Sequence, residues 1–353
     1  MATMTPGVVT PINAQQWGPQ TSVPAPTTPY SGTFIPTLWS GKLAKKFYAK
    51  TIFGGITNSD WFGEISNMGD KVIINTIPDI TVKQYKVGMQ LEYEVPQGDT
   101  FELVVDEGHY FAVNVNDVME YQSKPALMSM FTDDAAQQMR IAIDGRGIAK
   151  TFFKADGTLK TDAKGYKAVW EKNCGATAGA RTGSYNLGTD TAPVALTPEN
   201  ILSYITQLST VLDEADIPED GRYLVITPYE RQILMNSNLA QAQFMGDAKS
   251  VLRNGMIGRI DRFDIYVNNL LPRAAAGKAW DLKDGSEIGA LAGSAKRHLI
   301  WAGQRNGIAF ASQITKTENL RNPNDFGSLV RGLNIWGTQV VQGQCLAPMI
   351  VAN

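Results

Sequence analysis

The chain carries only two histidines, His109 and His298, and two cysteines, Cys174 and Cys345, so acid–base, nucleophilic and metal chemistry have few seats. A zinc protease places two histidines one helical turn apart with a glutamate as base, and no His-Glu-x-x-His is present. The Gly-x-Ser-x-Gly turn that presents a hydrolase serine is also missing. His109 opens a strand beside Tyr110, where a structural or exposed imidazole is a plainer reading than a general base. Asp213, Glu214 and Asp216 are spaced like a cation site, but acids at a helix end are ordinarily just solvated. Gly145-Arg146-Gly147 is not a dinucleotide fingerprint, because Lys150 stands where the third glycine belongs. The cysteines lie far apart in sequence and set up no disulfide framework. No enzymatic activity, cofactor or metal is expected.

The residue types that remain suit contact rather than catalysis. Lys83, Tyr85 and Lys86 cluster just before Gly88, and Glu92 and Glu94 follow on the return stretch. All five lie in a segment, Asp70 to Val118, that reads as strand after strand. Val72, Ile74 and Thr76 alternate with Ile73, Asn75 and Ile77, and Leu91, Tyr93 and Val95 alternate with Glu92 and Glu94. Phe101, Leu103 and Val105 resume the pattern after a turn at Pro96-Gln97-Gly98-Asp99. An isolated ribbon is marginal in water, so a long one needs a surface to lie on. The expectation is an arm resting on another subunit, with Lys83, Tyr85, Lys86, Glu92 and Glu94 in the contact. Exposed ion pairs contribute only ~0–1 kcal/mol each, so they set register more than affinity.

The N-terminal stretch is a second candidate for contact. From Met1 to Gly41 there is no charged residue, and seven of the 17 prolines fall there. It lacks the basic start and apolar run of a signal peptide. A disordered tail over about the first 25 residues is one reading; the other, favoured by the lack of charge, is an extended arm that Trp17, Tyr30, Phe34 and Trp39 would dock on an apolar surface. Pro36 to Lys50 is expected to form a short helix, with Trp39, Leu43 and Phe47 on one stripe.

These contact segments need a body to carry them. His109 to Val115 is expected as a strand, and Pro125 to Lys150 as a long helix with Leu127, Phe131, Ala135, Met139 and Ala142 as its stripe. Residues 151–195 read as loop. Thr197-Pro198 is expected to open a helix with Thr197 as N-cap and Ile201, Ile205, Leu208 and Leu212 buried. Tyr223 to Ile226 reads as a buried strand, and Thr227-Pro228-Tyr229-Glu230 as a capping box starting a further helix. Ile260–Val267, Ile308–Glu318 and Leu333–Val341 read as strands, with a polar loop over Asn319–Gly327. Helices and strands interleave without a βαβ rhythm, which makes the class α+β.

Lys plus Arg number 32 and Asp plus Glu 34, a formal net charge of -2, so no broad phosphate-binding field is expected. Arg253, Arg259 and Arg262 cluster in sequence, as do Lys45 and Lys46, but a solvated surface explains them more simply. No run of about 18 apolar residues would span a membrane.

Several blocks together resemble the major capsid (coat) proteins of tailed bacteriophages. They are Ile35-Pro36 to Trp39, Phe53-Gly54-Gly55, Gly69-Asp70-Lys71-Val72, Tyr110-Phe111 and Asn116-Asp117-Val118. Further along come Leu212 to Pro218 with Gly221-Arg222-Tyr223, then Gly258-Arg259-Ile260 with Phe263, Tyr266, Asn268-Asn269 and Leu271-Pro272. The last block holds Gln313, Lys316, Glu318, Arg321, Phe326, Arg331-Gly332-Leu333 and Gly337. The resemblance implies a phage major-capsid fold with a long spine helix, peripheral and axial domains, an extended β-hairpin loop and an N-terminal arm. By position the arm and short helix would take residues 1–50, and the extended ribbon with adjoining strands 51–115. The peripheral domain with the spine helix would be 116–222, the axial domain 223–325, and strands returning to the peripheral domain 326–353.

The resemblance further implies self-assembly of hexamers and pentamers into an icosahedral shell around double-stranded DNA. Expected partners are further copies of the chain, a scaffolding protein, a portal protein, a decoration protein and packaged DNA held by weak non-specific contact. The place would be the virion capsid, reached from the host cytoplasm. A cellular compartment shell of the same fold is the alternative, and a secreted adhesion or carbohydrate-binding module a more distant one.

Overall fold

In the computed structural model, the described residues are 48–49, 51–60, 71–75, 80–90, 92–95, 100–117, 127–154, 157–160, 171–237, 258–281, 287–288, 295–323 and 326–352. All belong to one compact unit, Ala44–Asn353. Along the first half run α1 (Phe53–Ile56), β1 (Lys71–Asn75), β2 (Thr100–Val104), β3 (Glu107–Asn116), α2 (Leu127–Phe152), β4 (Val194–Ala195) and α3 (Ile201–Glu214). Then come β5 (Arg222–Ile226), α4 (Pro228–Met235), β6 (Arg259–Ile260), β7 (Phe263–Val267), β8 (Arg273–Ala274), β9 (Trp280–Asp281) and β10 (Glu287–Ile288). Three long strands and the C-terminal one close the chain: β11 (Arg297–Gln304), β12 (Ile308–Arg321), β13 (Gly327–Val340) and β14 (Leu346–Ala352).

Three sheets result. A nine-stranded sheet runs β10-β9-β8-β11-β5-β7-β6, with β14 also paired to β11 and β4 to β14. Its centre, β5 and β11, is buried along its whole length, and the apolar runs Tyr223–Ile226 and Leu299–Ala302 within them suit strands covered on both faces. A three-stranded sheet is ordered β12-β13-β3, and β1 and β2 form a separate two-stranded ribbon.

The core joins the large sheet to α1, α3, α4 and the last turns of α2. The predicted stripe of α3 is correct: Ile201, Ile205, Leu208 and Leu212 are all buried. Trp301 packs on Phe152 at a ring separation of 4.9 Å, and Trp280 on Phe153 at 4.8 Å, so aromatic pairs fasten the end of α2 to the sheet. The capping box of α4 is present. Thr227 Oγ1 accepts from the Tyr229 N–H at 3.2 Å, and Glu230 Oε2 accepts from the Thr227 N–H at 2.9 Å.

Several expectations need correction. Of the stretch read as a strand over Leu91–Val95, residues 92–95 join no ladder; β2 pairs with β1, Phe101 opposite Ile74. On α2, Phe131, Ala135, Met139 and Ala142 remain partly or largely exposed, and burial begins at Ile143. Over 129–142 the helix buries no side chain fully, so an apolar period there does not report burial. Thr197 does not cap α3. Pro198 falls in a preceding turn, and Asn200, whose side chain accepts from the Thr197 N–H and donates to the Ala195 carbonyl, leads into the helix. The 260–267 stretch folds back at Asp261, which takes φ 53°, giving the β6–β7 hairpin. The 319–327 loop is shorter than expected, since β12 runs on to Arg321 and β13 starts at Gly327. The short helix at 36–50 lies outside the described residues except for Tyr48 and Ala49, which are not helical.

A carboxylate joins the long helix to the start of the described chain. Asp144 of α2, 4% exposed, accepts from the Ile52 N–H at 2.7 Å and the Phe53 N–H at 3.2 Å. Burial lifts its pKa from 3.8 to about 6, and the backbone donors offset only part of that rise. A carboxyl raised in the folded state binds its proton more tightly there, so its contribution is greatest in acid and declines as pH climbs from 3.8 to about 6. In denaturant unfolding of the wild type and Asp144→Asn at matched pH, the wild type should lose up to roughly 3 kcal/mol relative to the variant between about pH 4 and about pH 7. Parallel pH profiles would contradict this.

Candidate functional site

The feature that projects from the body is the ribbon, and its root is specified tightly. Leu103 and Val105 are buried against Ala309, Ala311 and Ile335, a small cluster separate from the main core. Here the chain crosses β13 so closely that a Cβ on Gly337 would collide with the Val104 carbonyl oxygen. Glycine is needed there for the approach of two backbones. Asp106 pairs with Lys150 of α2, and Glu107 lies 3.9 Å from Lys150 and 4.0 Å from Arg146. Trp336, fully buried, donates its indole N–H to His109 Nδ1 at 2.9 Å.

Beyond the root the ribbon has almost nothing around it. Residues 80–90 and 92–95 are all exposed, including the apolar Val82 at 93%, Val87 at 95%, Tyr93 at 90% and Val95 at 83%. Its two sides are tied by polar contacts. Lys83 Nζ meets Glu92 Oε2 at 2.7 Å, and the Thr81 N–H donates to Glu94 at 3.2 Å. The tip turns where the Met89 N–H donates to the Lys86 carbonyl at 3.1 Å, with Gly88 at φ 87°.

A second exposed surface lies on the three-stranded sheet. The register places Tyr110, Ala112 and Asn114 beside Leu333, Arg331 and Leu329, with Glu318 and Leu320 on the far strand. Tyr110 is 79% exposed, and Leu320 and Leu333 are exposed too. Arg331 Nε donates to Glu318 at 2.7 Å in the middle of this face. A shallow depression of about 490 Å³ runs over Tyr110, Ala112, Glu318, Arg331 and Leu333. The opposite face, with Phe111, Val113, Val115 and Val330, is partly or fully buried.

Of the contact residues expected from sequence, Lys83, Tyr85, Lys86, Glu92 and Glu94 all sit exposed on the ribbon. Lys83 and Glu92 are brought together within the chain. Trp17, Tyr30, Phe34 and Trp39 lie outside the described residues. The sheet face was missed, although the alternation of Tyr110, Ala112 and Asn114 with Phe111, Val113 and Val115 carries the signal: both sets hold apolar residues, and one sheet can bury only one of them.

The groups that could do chemistry are engaged elsewhere. His298 Nε2 lies 2.5 Å from Glu230 Oε1, with both side chains inaccessible. Burial alone would raise the Glu230 carboxyl, but the His298 ring and Thr227 hold it below its ordinary value. Asp213 is bound by Arg222 at 2.7 Å and Arg262 at 2.9 Å, and Arg262 also reaches Glu219 at 3.0 Å. The acidic cluster at the end of α3 is thus an arginine-clamped corner. Cys174 and Cys345 are both buried and free, and burial pushes the Cys345 thiol up to about 12. Among the described residues, no three His, Cys, Asp or Glu side chains gather as metal ligands, and no helix is long and apolar enough to cross a membrane.

No protein-family model matches the chain, and no curated protein does. Solved structures do. A chain of Mycobacterium phage Che8 is 22% identical with a TM-score of 0.65, covering 90% of this chain and 97% of that one. The capsid of cyanophage P-SCSP1u matches at 14% identity and TM-score 0.61, covering 95% of this chain and 100% of that one. The mature capsid of bacteriophage PhiM1 matches at 15% identity and TM-score 0.59, covering 89% and 90%. The α+β architecture described above is the fold of these phage chains, two of them from capsids, shared over nearly the whole length.

The approach at Gly337 gives a direct test of the root. Gly337→Val should force the Val104–Val105 backbone off β13 and cost about 1–3 kcal/mol in denaturant unfolding, with new proteolytic cleavage between residues 100 and 108. Unchanged stability and cleavage would mean that the ribbon is held some other way.

Proposed function

We propose that this chain is the major capsid protein of a tailed bacteriophage, a structural protein that self-assembles into the icosahedral shell enclosing double-stranded DNA. The observation that carries the reading is the ribbon: its Val82, Val87, Tyr93 and Val95 are exposed on a single chain whose fold is that of phage capsid chains. Apolar side chains at that exposure gain about 25 cal/mol for each Å² they lose to a neighbour. Because the ribbon is rooted in the body, its contact with a second copy ties two bodies together, and several modest contacts per subunit add.

On this reading the ribbon lies across a neighbouring subunit, and Lys83, Tyr85, Lys86, Glu92 and Glu94 form the polar part of that contact. Trp17, Tyr30, Phe34 and Trp39 anchor the N-terminal arm. The peripheral part is 116–222 with the long helix, the axial part 223–325, and 326–353 returns to the peripheral part, with β13 paired to β3. Scaffolding, portal and decoration proteins are the proposed partners besides copies of the chain. The net charge of -2 suits a container that confines DNA without binding its phosphates tightly. The virion capsid is the proposed location, with the host cytoplasm before assembly.

Electron microscopy of the expressed full chain, alone and with its scaffolding protein, tests the reading. Closed uniform shells support it, and a soluble monomer under every condition refutes it. DNA inside the particles separates a virus shell from a compartment shell. Lys83→Glu combined with Lys86→Glu should lower the yield of closed shells at least tenfold. The exposed Lys83–Glu92 pair contributes only about 0–1 kcal/mol to folding, so unfolding of the subunit should hardly change. Normal particles from this variant would remove these lysines from the contact.

A further inference from the structure

The root of the ribbon holds a contact that depends on the protonation of one ring. Trp336 is fully buried, and an indole N–H can only donate. Its acceptor is His109 Nδ1 at 2.9 Å, with the rings stacked at 5.8 Å and 21°. Nδ1 accepts only while it carries no proton, so the contact requires a neutral imidazole with its hydrogen on Nε2. In the imidazolium both ring nitrogens are donors. Two N–H groups would then face each other, and Trp336 would be left with a buried donor and no acceptor.

The position of the pair gives this contact its reach. His109 lies two residues into β3, just after Asp106 and Glu107 complete the crossing from the ribbon. Trp336 precedes Gly337, over which Val104 passes. Among the described residues, the charged groups on the chain leading into His109 are Asp106 and Glu107, and these two acids are engaged by Arg146 and Lys150 on α2. Across the ladder β13 presents Asn334 opposite His109, and on the β12 side Phe310 packs against Trp336 at 6.1 Å.

We propose that His109 and Trp336 form a pH-sensitive latch at the ribbon-side end of the β3–β13 ladder: neutral His109 pins that end of the ladder beside the ribbon root, and protonation of Nδ1 loosens it. The latch belongs to the single chain and does not depend on the assembly reading. Its test is amide hydrogen exchange of the full-length subunit, corrected for intrinsic rates, at about pH 7.5 and about pH 5, which bracket the imidazole range. Peptides covering 100–110 and 333–340 should lose protection at least tenfold on acidification. His109→Asn supplies a carboxamide oxygen near the place of Nδ1 and does not titrate, so it should keep its protection at both pH values. It retains Asp144 and His298, which isolates the effect to residue 109. His109→Phe, which keeps a stacking ring but no acceptor, should be unprotected at both. Equal loss in wild type and His109→Asn would overturn the latch. So would nitrogen-15 spectra of the imidazoles, only two in the chain, showing the proton on His109 Nδ1 at neutral pH.

Discussion

A two-stranded ribbon has two faces and no third layer to cover them, and this constraint governs the rest of the molecule. Among the described residues of the ribbon, those at the root, where Leu103 and Val105 enter a small cluster with Ala309, Ala311 and Ile335, obtain cover from the body. Past that point Val82, Val87, Tyr93 and Val95 stay in solvent. The polar cross-links Lys83–Glu92 and Thr81–Glu94 hold the two sides together without burying anything. Fixing such a structure costs conformational entropy that the contacts of its described residues barely repay.

The body fits the task of carrying that projection. Its main core fastens the end of α2 to the nine-stranded sheet through Phe152 on Trp301 and Phe153 on Trp280. The same helix then reaches outward, its early turns poorly buried, while Lys150 and Arg146 near its end hold the acids at the ribbon root. One rigid element therefore connects core, root and projecting surface. Asp144 adds the segment at Ile52 and Phe53 to this connection. The groups that might have supported catalysis are spent on such fastening: Glu230 on the α4 cap and on His298, and Asp213 on Arg222 and Arg262.

Errors in reading the sequence share a physical origin. The stripe Phe131–Ala135–Met139–Ala142 has the period of a buried helix face, but period reports only that one side is apolar, and here that side is left partly or largely exposed. Thr197-Pro198 has the composition of a helix start, but the Asn200 side chain, bonded to Thr197 and Ala195, shifts it by a turn. Leu91–Val95 alternates like a strand, yet pairing depends on which segment lies alongside, and β1 takes β2 as its partner.

The chain's sequence by itself determined what neighbours along it control. It encodes the α3 stripe, the buried β5, the Thr227–Glu230 cap and a charged ribbon tip before Gly88. Tertiary structure alone decided which distant residues meet. Trp336 and His109 are 227 positions apart, and Val104 passes over a glycine far down the chain at Gly337. Local pattern fixes the conformation of an element because its interactions fall within a turn or a pleat. The choice of partner depends on how whole elements stack, and no short window of sequence contains that.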